Sequence, residues 1–121
     1  MPDIDAKYRI AFEASRDALL FLDRSGFLDC NQAALDVYGL SAKKEIIGKH
    51  PGELAPLLQP DGKNSLSAAA QMIDQAFKKG TCAFDWLHCS ADGVQFQSEV
   101  LLSRFEVDGK PLLQAVVRDI S

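Results

Sequence analysis

Two long strand-like runs near the C-terminus, "VQFQSEVLLSRFEV" and "PLLQAVVRDI", flank Asp108-Gly109. An Asp-Gly pair between such runs is a strong signal for a two-residue hairpin turn, because both central residues take positive φ. Apolar residues stand at both parities of each run: Val100 and Leu102 but also Leu101 and Phe105, then Leu113 and Val117 but also Leu112 and Val116. An antiparallel sheet with one solvated face alternates more cleanly. Both faces of this sheet are therefore expected to be at least partly covered. One would meet helices, and the other an N-terminal helix or a second chain.

Upstream, "TCAFDWLHC" alternates Cys82, Phe84, Trp86 and His88 on one face, and "ADG" turns it into the hairpin, completing a three-strand meander. Before it, Ser65 to Lys79 reads as the longest helix, with Leu66, Ala69, Ala70, Ile73, Ala76 and Phe77 as its apolar face. Lys78 and Lys79 complement its dipole and Gly80 ends it.

Near the N-terminus, "ALLFLD", the turn Asp23-Arg24-Ser25-Gly26 and "FLDC" make a hairpin. Asn31 is placed to cap "QAALDVYG", which Gly39 ends; Ser41 is expected to cap a short turn closing on Gly48, and Pro51 to open another. At the front, Ile4, Tyr8, Ala11, Phe12 and Ser15 share one stripe of an amphipathic helix over residues 1–16. The sum is an α+β domain: one antiparallel sheet with helices gathered on one face.

The 121 residues suffice for one domain without metal or disulfide staples. A net charge of −4 with no basic cluster argues against nucleic acid or an anionic membrane as the main partner. No apolar run approaches the ~18 residues of a membrane span, and the start lacks a signal-peptide layout. The chain is expected in the cytosol, or as the cytosolic part of a membrane-anchored protein. Cys30, Cys82 and Cys89 are odd in number and lack Cys-x-x-Cys spacing, which speaks against a disulfide framework or a zinc knuckle. The acidic residues scatter over turns and exposed positions, with no nucleophile, base or carboxylate pair assembled, so a small α+β enzyme is the remote reading.

Two stretches carry a resemblance. "DALLFLDRSGFLDCNQAALDVYGLSAKKEIIGK" resembles the front half of a PAS domain: an apolar strand, Asp-x-x-Gly, a short strand, Asn-x-Ala-Ala, an aromatic-Gly ending and a helix closing on Ile-Gly. "GTCAFDWLHCSADGVQFQSEVLLSRFEVDGKPLLQAVVRDIS" resembles the back half, with its Phe-x-Trp-x-His strand and terminal Arg-Asp-Ile-Ser. "LLQPDGKNS" and "FDWLHCSADG" are similar to a bacterial subset found in histidine kinases, GGDEF proteins and chemoreceptors. The resemblance implies a PAS fold over residues 17–121, a five-stranded sheet in the order 2-1-5-4-3. It also implies a sensory or dimerising module that relays its state to a C-terminal effector in cis.

The family's cofactor variants make demands that this sequence meets poorly. A haem-binding member would use a His on the long helix, which has none, leaving Met72 as the one soft ligand there. Photochemical flavin chemistry needs an Asn-Cys-Arg-Phe setting, and "GKHPGELAPLL" has no Cys. A flavin held without a covalent bond stays open, with Trp86 able to stack on it; no metal site is expected. His50, before Pro51, belongs to a turn or cap. For a small-molecule pocket the candidate wall is Leu66, Ala70, Ile73 and Phe77 from the helix, with Phe84, Trp86 and His88 from the strand. Against it stands a filled core, in which the domain serves only dimerisation and interaction. Under either reading a homodimer through the N-terminal helix and the outer sheet face is expected. At the end, Asp119 and Ser121 are the expected signal-relay pair, Ser121 capping a helix that would follow. The ending reads as a cut rather than a terminus.

Overall fold

The computed structural model describes residues 2–120, with side chains from residue 7 onward. Helix α1 (Pro2–Ala14) leads into β1 (Ala18–Asp23), β2 (Gly26–Cys30) and α2 (Gln32–Tyr38). Two single-turn 3-10 helices, Lys43–Glu45 and Pro51–Leu54, precede α3 (Ser65–Lys79). The meander is β3 (Thr81–Cys89), β4 (Gln95–Val107) and β5 (Lys110–Asp119). The five strands form one antiparallel sheet in the order β2-β1-β5-β4-β3, as expected. Among the described residues no helix is long and apolar enough to cross a membrane.

The Asp-Gly signal is met: Asp108 and Gly109 both take positive φ, 53° and 76°, and Val107 pairs with Lys110. That turn sets the β4–β5 register and so the inner face. Leu20, Leu22, Val100, Leu102, Leu113, Ala115 and Val117 are all buried there beneath α2 and α3. A fully buried aliphatic side chain contributes about 1.5–3 kcal/mol, so this face dominates the stability. The β1–β2 turn is held by Asp23, whose Oδ1 accepts from both the amide and the hydroxyl of Ser25. Gly26 has a local reason: a Cβ there would meet the Lys49 and Gly48 carbonyl oxygens at 2.8 and 2.9 Å.

Asn31 does more than cap α2. Its Oδ1 accepts from Ala34 N, the cap, and also from Leu19 N in β1. Its Nδ2 donates to the carbonyls of Phe12 and Asp17. One buried amide therefore joins the end of α1, the link to the sheet, β1 and α2. Lys43 adds a second tie, its Nζ 2.6 Å from Glu13 Oε2 and 3.0 Å from Asp29 Oδ1. The expectation for Ser41 is corrected: the first 3-10 turn begins after Ala42, and the Glu45 carboxylate accepts from the Ser41 and Ala42 amides instead. A carboxylate reaching back from inside the turn satisfies two free donors, where a serine hydroxyl satisfies one.

Both sheet edges are occupied by something other than a strand. At β2, Phe27 N donates to Lys49 O and Gly48 N to Phe27 O. At β3, the Gln59 side chain stands in for a strand: Leu87 N donates to its Oε1 and its Nε2 donates to Leu87 O. Unpaired edges template aggregation, and these contacts blunt them. On the outer sheet face, Phe12 of α1 stacks on Phe21 at 4.9 Å, and Phe21 meets Phe105 at 5.4 Å. The cover is incomplete, since Tyr8 is 72% and Leu101 43% exposed. The Ile4 side chain lies outside the described residues.

Candidate functional site

A cavity of about 40 Å³ lies between the inner sheet face and the helices. Its floor is β1, β4 and β5; Phe84, Trp86 and His88 of β3 form one side. Ala69 and Ile73 of α3, Tyr38 of α2 and Pro51 close it. A water-sized position needs about 10–15 Å³ on this measure, so the space holds about three of them.

Of the wall residues expected, Ile73, Phe84, Trp86 and His88 are there, while Leu66, Ala70 and Phe77 are not. The buried arc of α3 is Ser65, Ala68, Ala69, Ile73 and Ala76. Leu66, Ala70 and Phe77 lie roughly a quarter to a third of a turn round from it. The helix is rotated because its most buried early position is a serine. Ser65 Oγ donates to Pro56 O and accepts from Gln59 Nε2, so the polar residue is satisfied inside and Leu66 turns outward, 48% exposed, over Gly52. Phe77 packs instead beneath the Arg24 guanidinium, 4.6 Å from its ring centre.

The cavity's polar side is a hydrogen-bonded line. Tyr38 Oη is 3.0 Å from His88 Nδ1, and His88 Nε2 is 2.5 Å from Ser98 Oγ. All three side chains are buried, and the His88 ring also stacks on Phe96 at 4.8 Å. Burial pulls the His88 pKa down to about 4, with the Asp119 carboxylate opposing that fall, so the ring is neutral at pH 7. Burial likewise pushes the Tyr38 phenol up, keeping it protonated. Tyr38 and Ser98 were not among the expected site residues. Ser98 had a signal in the sequence: it is a polar residue set in phase between Phe96 and the apolar pair Val100 and Leu102.

The other candidates sit apart. His50 caps the second 3-10 turn, its Nδ1 accepting from Gly52 N. Met72 does not line the cavity; its Sδ lies 3.7 Å from Cys82 Sγ. A space of about three water-sized positions is, as packed, too small for a haem or a flavin ring, and Trp86 is walled by Phe84 at 5.8 Å. Among the described residues no three metal-ligating side chains cluster. Asp119 pairs with Ser98 across β4–β5, at the end of the line that starts at Tyr38. Ser121 lies outside the described residues.

Solved structures share this architecture. The PAS domain of a protein from Colwellia psychrerythraea aligns with a TM-score of 0.79 at 20% identity, covering 98% of this chain and 98% of that one. A domain of a sensory box sensor histidine kinase/response regulator from Geobacter sulfurreducens aligns at 0.75 with 20% identity, covering 96% and 94%. The PAS domain of a LuxR-family transcriptional regulator from Burkholderia thailandensis, described in complex with ethanol, aligns at 0.72 with 18% identity, covering 93% and 96%. The sequence has no match among curated proteins. The family model of the PAS domain matches residues 16–121, a span that takes in all five strands, and the chain therefore belongs to the PAS domain family.

Proposed function

We propose that this PAS domain is the sensory module of a bacterial signalling protein. It takes a small, uncharged, largely apolar molecule into its core and passes occupancy to an effector joined after β5. The observation that carries this reading is the cavity of about 40 Å³ with a single polar side at Tyr38 and His88. It suits an ethanol-sized molecule, and the ethanol complex of the Burkholderia thailandensis domain supports that size class. The exit runs through Asp119, which pairs with Ser98 in the β4–β5 register. In this reading the domain works in the cytosol, senses without catalysing, and engages neither nucleic acid nor membrane. Scanning calorimetry with alcohols and ketones of up to about four non-hydrogen atoms tests it. Saturable rises in Tm are expected; a set that shifts nothing would sink the sensing reading.

One observation favours a second role beside it. Tyr8, Phe12, Phe21, Phe105 and Leu112 border an apolar groove between α1 and the outer sheet face, open enough to receive the same elements of a second copy. Sedimentation equilibrium should show a dimer that Tyr8→Glu weakens at least tenfold. A wild-type chain that stays monomeric at high micromolar concentration rejects that role.

A further inference from the structure

We infer that the cavity selects a small neutral molecule bearing a hydrogen-bond acceptor, and that binding it moves the ring hydrogen of His88 from Nε2 to Nδ1. This rests on the sensing reading above and names its ligand class. Two hydrogen bonds in the cavity's polar line share more hydrogens than they can use. The line Tyr38 Oη, His88 Nδ1, His88 Nε2 and Ser98 Oγ contains two hydrogen bonds, of 3.0 and 2.5 Å. A neutral imidazole supplies one N–H and each hydroxyl one O–H, so three hydrogens serve two bonds. One is always left over, and the tautomer decides at which end.

With the hydrogen on Nε2, Tyr38 donates to Nδ1, the ring donates to Ser98, and the surplus is the Ser98 O–H. Ser98 sits opposite Asp119 in the β4–β5 register, and the negative charge of Asp119 acts on the His88 ring that Ser98 contacts. That end favours this form in the empty domain. With the hydrogen on Nδ1, Ser98 donates to Nε2, the ring donates to Tyr38 Oη, and the surplus is the phenolic O–H. Tyr38 lines the cavity, Ser98 does not, and the other cavity walls are aliphatic and aromatic side chains with no acceptor except His88 itself. A buried O–H without an acceptor is costly, so this form waits for one. A bound carbonyl or ether oxygen provides it, whereas a purely apolar guest of the same size does not.

The step balances: one proton leaves Nε2 and one arrives at Nδ1, carried by water as the cavity opens to admit its guest. Its consequence lies at the far end. The His88–Ser98 bond reverses direction beside the last pair of β5, so occupancy at Tyr38 is read at Asp119 without any large movement of the backbone.

The test uses ring-¹⁵N-labelled histidine in the full chain carrying His50→Asn, which keeps an acceptor at that cap and leaves His88 as the single histidine. Xenon reports the cavity alone, and acetone reports the acceptor. The ring nitrogen shifts and one-bond couplings show which nitrogen is protonated. The expected result is saturable conversion from Nε2–H to Nδ1–H with acetone and none with xenon. Tyr38→Phe should still bind xenon, which shows that it folds with its cavity, and should lose the conversion. If xenon binds but acetone leaves the tautomer unchanged, this inference fails and the sensing reading stands. Conversion by xenon, or conversion that persists in Tyr38→Phe, also overturns it. If neither probe binds, both fall together.

Discussion

Asn31→Ala removes one side-chain amide that is completely buried and makes four hydrogen bonds of 2.9–3.0 Å. Loss of the α2 cap alone costs about 1 kcal/mol. Leu19 N–H is then left in the sheet without an acceptor, a penalty of about 1–3 kcal/mol. The carbonyls of Phe12 and Asp17 lose their donor as well, and a water entering the space recovers part of that. The expected total is about 3–5 kcal/mol, a large share of the roughly 5–15 kcal/mol by which a domain of this kind is stable. Urea titration at fixed protein concentration measures it as a drop in midpoint at unchanged slope. Asn31→Asp separates the two halves of the amide. It keeps the acceptor for Leu19 and Ala34 but turns an oxygen toward the Phe12 and Asp17 carbonyls. Hydrogen exchange should then rise along residues 7–17 while α2 stays protected. Losses below about 1 kcal/mol in both variants, or loosening that spreads over α2 and spares α1, would refute the argument that Asn31 is the pin of the N-terminal helix.

Three further outcomes follow from the same geometry. His88 has a folded pKa of about 4 against 6.5 unfolded, so the unfolded chain binds the extra proton and stability falls as pH drops through that window. Between pH 7 and 5 the wild type should lose about 2 kcal/mol more than His88→Gln in matched urea titrations; equal losses would contradict the buried neutral ring. Gln59→Leu strips Leu87 of both edge partners and leaves Ser65 without its Nε2 donor, so we expect about 2–3 kcal/mol of destabilisation and concentration-dependent association by light scattering. Gly109→Ala forces a Cβ onto a φ of 76° and should cost about 1 kcal/mol, read as a lower Tm with no change in the cavity's ligand response.

The architecture could be read from the sequence because its signals were local. Asp108-Gly109, the alternation over Thr81–Cys89 and the glycines at 39 and 80 each fix a piece of backbone by short-range sterics, and strand order followed from the resemblance. The site was only half legible. Phe84, Trp86 and His88 share a strand face, and a period of two residues admits no ambiguity once one of them is inside. On α3 only Ile73 fell where expected, and Leu66, Ala70 and Phe77 did not, because an apolar stripe can rotate when a serine finds partners in the interior. Ser65 does so through Pro56 and Gln59, loop residues whose proximity no periodicity announces. Tyr38 and His88 are 50 positions apart in sequence, and the bond between them exists only because α2 packs across the sheet. Asn31 was legible as a cap and illegible as a four-way junction for the same reason.

In the proposed sensing module, occupancy of the cavity reaches the end of β5. An amide chemical-shift titration of the wild-type chain with ethanol tests it directly. Saturable shifts are expected at Ile73, Trp86 and His88, with shifts of the same apparent affinity at residues 118–120. Linear, non-saturating shifts scattered over the surface, or a saturable response that stops at the cavity and leaves residues 118–120 unmoved, would contradict it.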